Sequence, residues 1–270
     1  MSDEEVSEEE VSDEEAAEEW EFYPCQVEDA AASIFLNLAF HRMRPAGADS
    51  LYFLGLQILE PDEHGLGSGS EAKALWQIED EILSLAAKAE LTYVGRLRHD
   101  GDWQLSFYGA PGLEGHLEQA AVQVLTANPN GRRGYRLDSQ PDPQWRYYRD
   151  FLMPNALQWR WILDRRVVQS LLEHGDELAT PRKIDHFLWF GSEEKRDAFS
   201  KDAQTFGFEV EGEREEEGTT ERPFGIHLTR VDSVELETIH EIVGELVELA
   251  NRHGGDYDGW GAPVVRSDDD

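Results

Sequence analysis

Two parts of the chain show the same order of predicted secondary structure, and this repeated order restricts the fold more than any other feature. Hydrophobic runs and helical stripes alternate over residues 51–138 as strand, helix, strand, strand, helix, strand. Residues 183–265 repeat that order. A β-α-β-β-α-β order is the split pattern of a ferredoxin-like sandwich, in which helices cover one face of an antiparallel sheet. The sequence therefore predicts an α+β protein with two ferredoxin-like sandwich domains.

Local signals place the elements of the second part. The run Lys183–Phe190 is aliphatic and aromatic and predicts a strand, and Ser192 is placed to cap the helix that follows. The last helix is predicted to start at Asp232 or Ser233, because its apolar positions recur at helical spacing from there. Tyr257–Val265 is predicted to return as the final strand.

The flanking segments complete a four-part organisation. Residues 1–19 contain eleven acids and no base, with too few apolar positions to form a core, and they predict a disordered acidic tail. Residues 20–152 are predicted to form an N-terminal α+β domain that has a strand at Ser33–His41. A helical linker is expected over residues 153–181, and the second ferredoxin-like domain over residues 182–266.

The charge of the chain restricts its partners. There are 57 acidic residues against 24 Lys and Arg among 270 residues, which gives a formal net charge of −33. Affinity for nucleic acids and anionic membranes comes from Lys and Arg, so this charge argues against both. It favours solubility and basic protein partners. An acidic surface of the kind found in halophilic proteins is an alternative origin for the charge, and the composition does not decide between them.

The sequence offers few groups for catalysis or for a cofactor. Cys25 is the single cysteine, which excludes an internal disulfide and fits a reducing cytoplasm, and we expect a structural thiol. On the last predicted helix, His240 and Glu241 are adjacent and lack the spacing of metal ligands, so a solvated helix face is favoured. Arginines between residues 132 and 166 alternate with aromatic residues, and in so acidic a chain we expect them to form internal salt bridges. No cofactor is predicted.

The segment near the C-terminus is unusual in its number of glycines. Four glycines fall within Gly254–Gly261, where they flank Asp256, Asp258 and Trp260. Glycine permits backbone conformations that other residues avoid. The simplest interpretation is a tight turn that leads into an edge strand, with an aromatic side chain closing the core.

This segment carries a family resemblance. Together with Ile184–Phe190 and the helix after it, Gly254–Gly261 resembles the regulator of ribonuclease activity B family, in which an Asp and aromatics open the domain and a Gly-Gly-x-Tyr-Asp-Gly-Trp-Gly stretch closes it. The resemblance covers about residues 182–266. The preceding part is similar to the domain-of-unknown-function family numbered 695, through Trp20, Tyr23 and Gln144–Tyr148.

The resemblance implies a ferredoxin-like C-terminal domain without catalysis. Members of the family are small acidic proteins that bind the endoribonuclease ribonuclease E and modulate its activity and degradosome composition. The family offers no catalytic residues to transfer, so the matched positions are predicted as motif or partner-binding residues. They are Asp185, Gly255, Asp256, Tyr257, Asp258, Gly259 and Trp260.

The leading hypothesis is therefore a cytoplasmic, non-enzymatic regulator that binds a basic protein such as ribonuclease E or a related RNA-processing enzyme. It predicts no direct contact with nucleic acid or membrane. Two alternatives remain open at this point. One is an immunity-type inhibitor of a nuclease or nucleic-acid-binding protein, whose acidic surface stands in for phosphates. The other is a small-molecule or hydrolytic site in a cleft between the two domains, lined by His186, His227 or His240.

Overall fold

The computed structural model describes residues 19–67, 69–128, 132–216 and 221–266. The chain divides into two compact units, the first ending at Gln158 and the second starting at Trp159. The tail predicted to be disordered lies outside the described residues except for its last member, Glu19. Within the described parts of the chain, every helix is too short or too polar to cross a membrane.

The first unit contains one antiparallel sheet of six strands. The strands are β1 (Trp20–Val27), β2 (Ala30–Asn37), β3 (Ser50–Gln57), β4 (Thr92–His99), β5 (Asp102–Gly109) and β6 (Tyr135–Pro141). The helices are α1 (Gly69–Ala87) and α2 (Glu114–Ala127). The sheet order is β1-β2-β4-β5-β3-β6. Its last four strands, with α1 and α2, have the order and connections of a ferredoxin-like sandwich, and β1 and β2 extend that sheet as a hairpin.

Both faces of this sheet are covered. The apolar stripe of α1 packs with α2 on one face, where Ile78 and Ile82 are fully buried together with Trp103. On the other face, a π-helical turn at Tyr147–Leu152 closes the core. The hydroxyl of Tyr148 in this turn donates a hydrogen bond to the carbonyl of Asn37 at 2.7 Å. Burial of large apolar side chains on both faces stabilises the unit by roughly 1.5–3 kcal/mol for each fully buried residue.

The prediction of a strand over Ser33–His41 is wrong at its end. The side chain of Asn37 accepts a hydrogen bond from the backbone N–H of Ala39 at 3.0 Å and so caps a 3-10 turn at Leu38–His41. An asparagine that bonds to its own backbone competes with the strand ladder, so strand β2 ends at this residue.

The second unit is built on a sheet of four strands. The strands are β7 (Arg182–Phe190), β8 (Glu209–Glu215), β9 (Phe224–Asp232) and β10 (Gly255–Gly261). The helices are α3 (Ala156–Glu173), which runs into this unit, α4 (Glu193–Thr205) and α5 (Leu236–Arg252). The antiparallel sheet order is β10-β7-β9-β8, which is the ferredoxin-like order again. The predicted fold class is thereby confirmed in both units.

The core of the second unit lies between this sheet and its helices. Helix α5 buries Ile239, Val243 and Leu246 against the sheet, and α3 adds Val168 and Leu171 to the same core. At the start of α4, the hydroxyl of Ser192 accepts a hydrogen bond from the backbone N–H of Lys195, which confirms the predicted cap.

Two boundaries in this unit differ from the prediction. Strand β9 continues to Asp232, which pairs with Arg182, so helix α5 begins later, at Leu236. Strand β10 ends at Gly261 rather than Val265. Two residues later, Pro263 has no N–H to donate to a ladder, which is consistent with the strand ending before it.

Candidate functional site

Strand β7 separates two chemically different surfaces, because alternate side chains of a strand point to opposite faces of the sheet. Ile184, Leu188 and Phe190 are fully buried on the side covered by the helices. Phe187 and Trp189 lie on the opposite side, which we call the outer face, and are half-buried. The outer face also carries side chains from the same and the neighbouring strands: Lys183, Asp185, Glu211, Arg214, His227, Thr229, Asp256 and Asp258.

The glycine-rich motif forms edge strand β10, which follows a turn at residues 253–254, as the interpretation of a tight turn leading into an edge strand predicted. Gly255 pairs with Phe190, and a Cβ added at Gly255 would lie 2.2 Å from Cε1 of that ring. The ring is fully buried, so only glycine fits without a shift of the core. The preceding Gly254 has a φ of 66° and ends helix α5 in the left-handed conformation.

A β-bulge determines where the aromatic residues of the motif point. The register shifts between Tyr257 and Gly259, so Asp258 is the extra residue of the bulged strand. As a result Tyr257 pairs with Leu188 and Trp260 pairs with His186, both on the helix side. Without the extra residue, these two aromatics would lie on opposite faces, because the side-chain period of a strand is two.

The buried aromatics of the motif hold polar partners. The hydroxyl of Tyr257 and Nδ1 of His186 are joined by a hydrogen bond of 2.8 Å. The indole N–H of Trp260 donates to Oδ1 of Asp164 on helix α3 at 2.9 Å, and the guanidinium carbon of Arg160 lies 4.8 Å from the centre of the Tyr257 ring. We call these five residues the inner cluster. It fastens α3 to the edge of the sheet.

Burial shifts the titration of two members of the inner cluster. Burial raises the pKa of Asp164 to about 6, against the opposing effects of the Trp260 hydrogen bond and the charge of Arg160. Burial also lowers the pKa of His186 to about 3, so this imidazole is neutral at physiological pH. Oδ2 of Asp164 and Nε2 of His186 have no hydrogen-bond partner. Because both side chains are almost completely buried, they are placed to support the fold and not to exchange protons with a substrate.

The outer face combines aromatic rings with carboxylates. The ring of His227 stacks on Phe187 at 4.8 Å, and its Nε2 lies 2.7 Å from Oδ1 of Asp185. The indole N–H of Trp189 donates to Oδ2 of Asp258 at 3.2 Å. Rings held by carboxylates in this way keep a fixed orientation while part of their surface faces solvent.

The outer face also carries one cation–π contact and an excess of carboxylates. The guanidinium carbon of Arg214 lies 4.3 Å from the centre of the Trp189 ring, a cation–π contact made across the sheet. Glu211 pairs with Lys183 and accepts a hydrogen bond from the hydroxyl of Thr229 at 3.2 Å. Asp256 is exposed and directly opposite Trp189 in the ladder. Carboxylates thus outnumber cations on this face.

The structure brings the predicted site residues together on one ladder and divides them between its two sides. Asp185, Asp256 and Asp258 lie on the outer face, whereas Tyr257 and Trp260 belong to the inner cluster. Gly255 and Gly259 contribute backbone geometry at the close contact and at the bulge.

Sequence reasoning missed several members of the site. Phe187 and Trp189 were predicted only as part of a strand, although the alternation of β7 is a signal that places them on a second face. The same alternation places His186 and His227 on opposite faces of one sheet. No local sequence pattern indicates that Asp164 belongs to the site, because its partner Trp260 lies 96 residues away.

Two further expectations concern metals and the arginine cluster. Among the described residues, no group of three His, Cys, Asp or Glu side chains is placed to hold a metal ion. Internal ion pairs within the first unit join Arg133 to Glu71, Arg136 to Asp102 and Arg149 to Asp150, with N–O distances of 2.9, 2.9 and 2.7 Å respectively.

Comparison with known proteins identifies two family matches. The family model described as "Regulator of ribonuclease activity B" matches residues 161–262, and that described as "Family of unknown function (DUF695)" matches residues 18–153, about half of the chain. Three curated relatives carry the name "Regulator of ribonuclease activity B". That of Photobacterium profundum is 30% identical over 110 residues, which are 39% of this chain and 82% of the relative. That of Pantoea ananatis is 29% identical over 113 residues (39% and 79%), and that of Actinobacillus succinogenes is 29% identical over 98 residues (36% and 69%).

Proposed function

The chain belongs to the regulator of ribonuclease activity B family through its second unit and to the unknown-function family 695 through its first, and from this membership we propose that it regulates a ribonuclease by binding to it. The partner is a basic segment of an RNA-processing endoribonuclease of the ribonuclease E type. The protein acts by binding and not by catalysis. Its single cysteine suits the reducing cytoplasm, where we place this action.

The outer face is the observation that carries this proposal. It presents half-buried Phe187 and Trp189 beside exposed Asp256 and Asp258, which are the components of a protein interface that takes cations. Arginine is the cation that such a face prefers, because a planar guanidinium both stacks on rings and pairs with carboxylates. Arg214 already makes the first of these contacts with Trp189.

Charge favours a protein partner over RNA. RNA-binding sheets also use aromatic side chains, but they surround them with Lys and Arg that contact phosphates. Here the aromatics are surrounded mainly by carboxylates, within a chain of net charge −33. The same charge attracts a basic partner over a distance of about 10 Å at moderate salt and raises the rate of encounter.

Binding of the full chain to the endoribonuclease of its own organism tests the proposal. We expect Asp256→Asn with Asp258→Asn, or Trp189→Ala, to weaken binding by at least about tenfold, since aromatic anchors and their charged neighbours carry much of the energy of an interface. Isothermal titration gives the affinity, and cleavage of a structured RNA by the endoribonuclease gives the regulatory effect.

The matched control is Glu241→Gln with Glu248→Gln. These two exposed carboxylates lie on α5, away from the outer face, so their removal changes the net charge equally without touching the site. Equal losses of affinity in the control and in the Asp256 and Asp258 variant would show that only net charge matters. An endoribonuclease whose cleavage rate is unaffected by saturating protein would contradict the proposed function.

A further inference from the structure

Strand β8 forms one edge of the second sheet and has a neighbour on one side only. The sheet order is β10-β7-β9-β8, so within the residues that the structure describes β8 pairs with β9 alone. At the opposite edge, β10 is fastened to helix α3 through the inner cluster. Every residue of β8 except Val210 and Gly212 is exposed. An edge of this kind presents backbone N–H and C=O groups that can pair with another chain.

A hydrogen bond at the end of β8 shows which backbone groups point outward. The N–H of Glu216 donates to the carbonyl of Pro223 at 2.9 Å. Neighbouring pairs of an antiparallel ladder alternate between hydrogen-bonded and non-hydrogen-bonded pairs. Arg214 therefore directs its N–H and C=O towards β9, whereas Glu213 and Glu215 direct theirs away from it. These two glutamates offer their backbone groups to a further strand.

The side chains at this part of the edge carry a net negative charge. Glu213 and Glu215 lie on the helix side of the sheet, because they alternate with Arg214 of the outer face. Glu213 pairs with Arg196 of α4 at 2.9 Å, and 46% of the Glu213 side chain is still exposed. Arg196 also pairs with two carboxylates of α4, so one guanidinium is shared among three acids. Glu215 adds a fourth carboxylate at the edge.

The alternation of charge along β8 determines which strand fits. An added antiparallel strand would place the residues opposite Glu213 and Glu215 on the helix side, and the residue between them beside Arg214. Cross-strand pairs of opposite charge stabilise a sheet, and like charges destabilise it. Basic residues at alternate positions, separated by uncharged ones, therefore fit this edge. A second copy of β8 does not fit, because its outward-pointing residues would bring another glutamate opposite Glu213 or Glu215.

We propose that the free edge of β8 binds an extended basic segment of the partner protein by antiparallel strand addition, with arginine or lysine opposite Glu213 and Glu215. Backbone hydrogen bonds hold the segment, and the two carboxylates select its charge. This inference rests on the proposed function in taking a basic protein segment as the ligand, and it adds how that segment is held. Asp256 and Asp258 lie on β10 at the opposite edge of the sheet, so the two surfaces can be tested separately.

Titration of the full chain with two peptides of equal composition tests the pattern. Ac-Thr-Arg-Val-Arg-Val-Arg-Thr-NH2 has arginine at alternate positions, whereas Ac-Thr-Val-Arg-Arg-Arg-Val-Thr-NH2 has the same charge without the alternation. We expect the alternating peptide to bind at least about threefold more tightly, measured by two-dimensional NMR. Equal affinities would show that only the charge of the peptide matters and would overturn the proposal.

Methylation of peptide nitrogens tests the strand addition itself. The residues opposite Glu213 and Glu215 must direct their N–H groups to β8, so N-methylation of the arginines in the alternating peptide should weaken binding by at least about tenfold. N-methylation of the valines, whose N–H groups point away from β8, should change the affinity by less than about twofold. If both methylated peptides bind equally well, the segment is not held as a strand.

Backbone amides of the protein localise the bound peptide. Hydrogen exchange at the N–H groups of Glu213 and Glu215 should slow by at least about tenfold, and that of Arg214, already bonded to β9, should change less. NMR shifts confined to Trp189 and Asp258 would place the peptide on the outer face and would overturn the proposal while leaving the proposed function intact. Protection of Glu215 that grows with protein concentration, without peptide, would identify a second copy as the occupant. No binding of either peptide up to about 5 mM would also refute the site.

A charge variant completes the test. Glu215→Gln keeps the backbone groups and is expected to weaken the alternating peptide by at least about threefold. The control is Glu248→Gln, which removes an exposed carboxylate from α5, the helix that packs beside β10 at the other edge of the sheet. Equal effects of the two variants would reduce the binding to general attraction by an acidic chain. A peptide bound at β8, together with an endoribonuclease that the protein neither binds nor affects, would support the site and contradict the proposed function.

Discussion

Replacement of Asp164 by Asn should change how the stability of the second unit depends on pH. The pKa of Asp164 is raised to about 6 by burial, compared with roughly 3.9 in an unfolded chain. The folded state therefore binds the proton more tightly, and this group contributes stability below about pH 4 that is lost as the pH rises to about 6. At about 1.4 kcal/mol per pKa unit, the loss is roughly 2–3 kcal/mol.

In the wild-type protein a second group masks this effect. The pKa of His186 is lowered to about 3, from roughly 6.5 when unfolded, so its contribution is full above about pH 6.5 and is lost as the pH falls. Between about pH 6 and pH 4 the contribution of His186 to the free energy of unfolding falls by roughly 2–3 kcal/mol, which is close to the rise in the contribution of Asp164 over the same range. The two members of the inner cluster therefore oppose each other, and their joint effect on stability over this range is small.

Asp164→Asn removes the pH-dependent contribution of Asp164 and leaves that of His186. The amide oxygen can still accept the hydrogen bond from Trp260, so the contact of 2.9 Å is kept while the titration is lost. We expect the free energy of unfolding of the variant, relative to wild type, to fall by roughly 2–3 kcal/mol between about pH 6 and pH 4. Any constant penalty from burying the amide N–H₂ adds equally at each pH and does not alter this slope.

Hydrogen exchange measures the effect in the right part of the molecule. Exchange of the amides in residues 182–190, read by mass spectrometry, reports the opening of the second unit, and comparison with wild type at each pH cancels the intrinsic chemistry of exchange. Urea denaturation of both proteins at the same pH values provides a second estimate. If the difference between variant and wild type is the same at both pH values, the titration assigned to Asp164 is wrong.

Two further substitutions test the same ladder. His186→Gln keeps a polar partner near Tyr257 and should show the opposite pH dependence to the Asp164 variant. Its free energy of unfolding relative to wild type should rise by roughly 2–3 kcal/mol from about pH 6 to pH 4. The same difference in urea midpoints at both pH values would contradict this expectation. Gly255→Ala places a Cβ 2.2 Å from the Phe190 ring and should destabilise the second unit by roughly 1–3 kcal/mol in the same urea titration. The control is Gly244→Ala in helix α5, where a Cβ has open space, and this variant should be neutral or stabilising.

The order of elements in both units could be predicted from the sequence because its signals are local. Helix α5 shows its apolar stripe within a few residues, and Ser192 caps α4 where a serine before two acids predicts a helix start. Given a β-α-β-β-α-β order, the ferredoxin-like strand order follows from the few topologies that connect such elements.

Three features that the sequence did not indicate depend on contacts or pairings that local patterns do not show. Strand β2 pairs with β4 about 65 residues away, and no local pattern indicates that the β1–β2 hairpin extends the sheet. The bulge at Asp258 reverses the side on which Trp260 lies, so counting residues from Tyr257 gives the wrong face. The hydrogen bond between Asp164 and Trp260 arises only when α3 meets the edge of the sheet.

Several arginines are buried in ion pairs, and this affects which charges the protein presents to solvent. Arg96, Arg133 and Arg182 are buried and pair with the buried carboxylates of Glu79, Glu71 and Asp176 respectively, as shown by their contacts. Such pairs are neutral inside the fold, and each would leave an uncompensated buried charge if one partner were removed. The arginines used in this way cannot balance acids at the surface, so the excess of carboxylate is displayed to solvent. On the outer face this excess includes Asp256 and Asp258, which are exposed and lie beside Trp189.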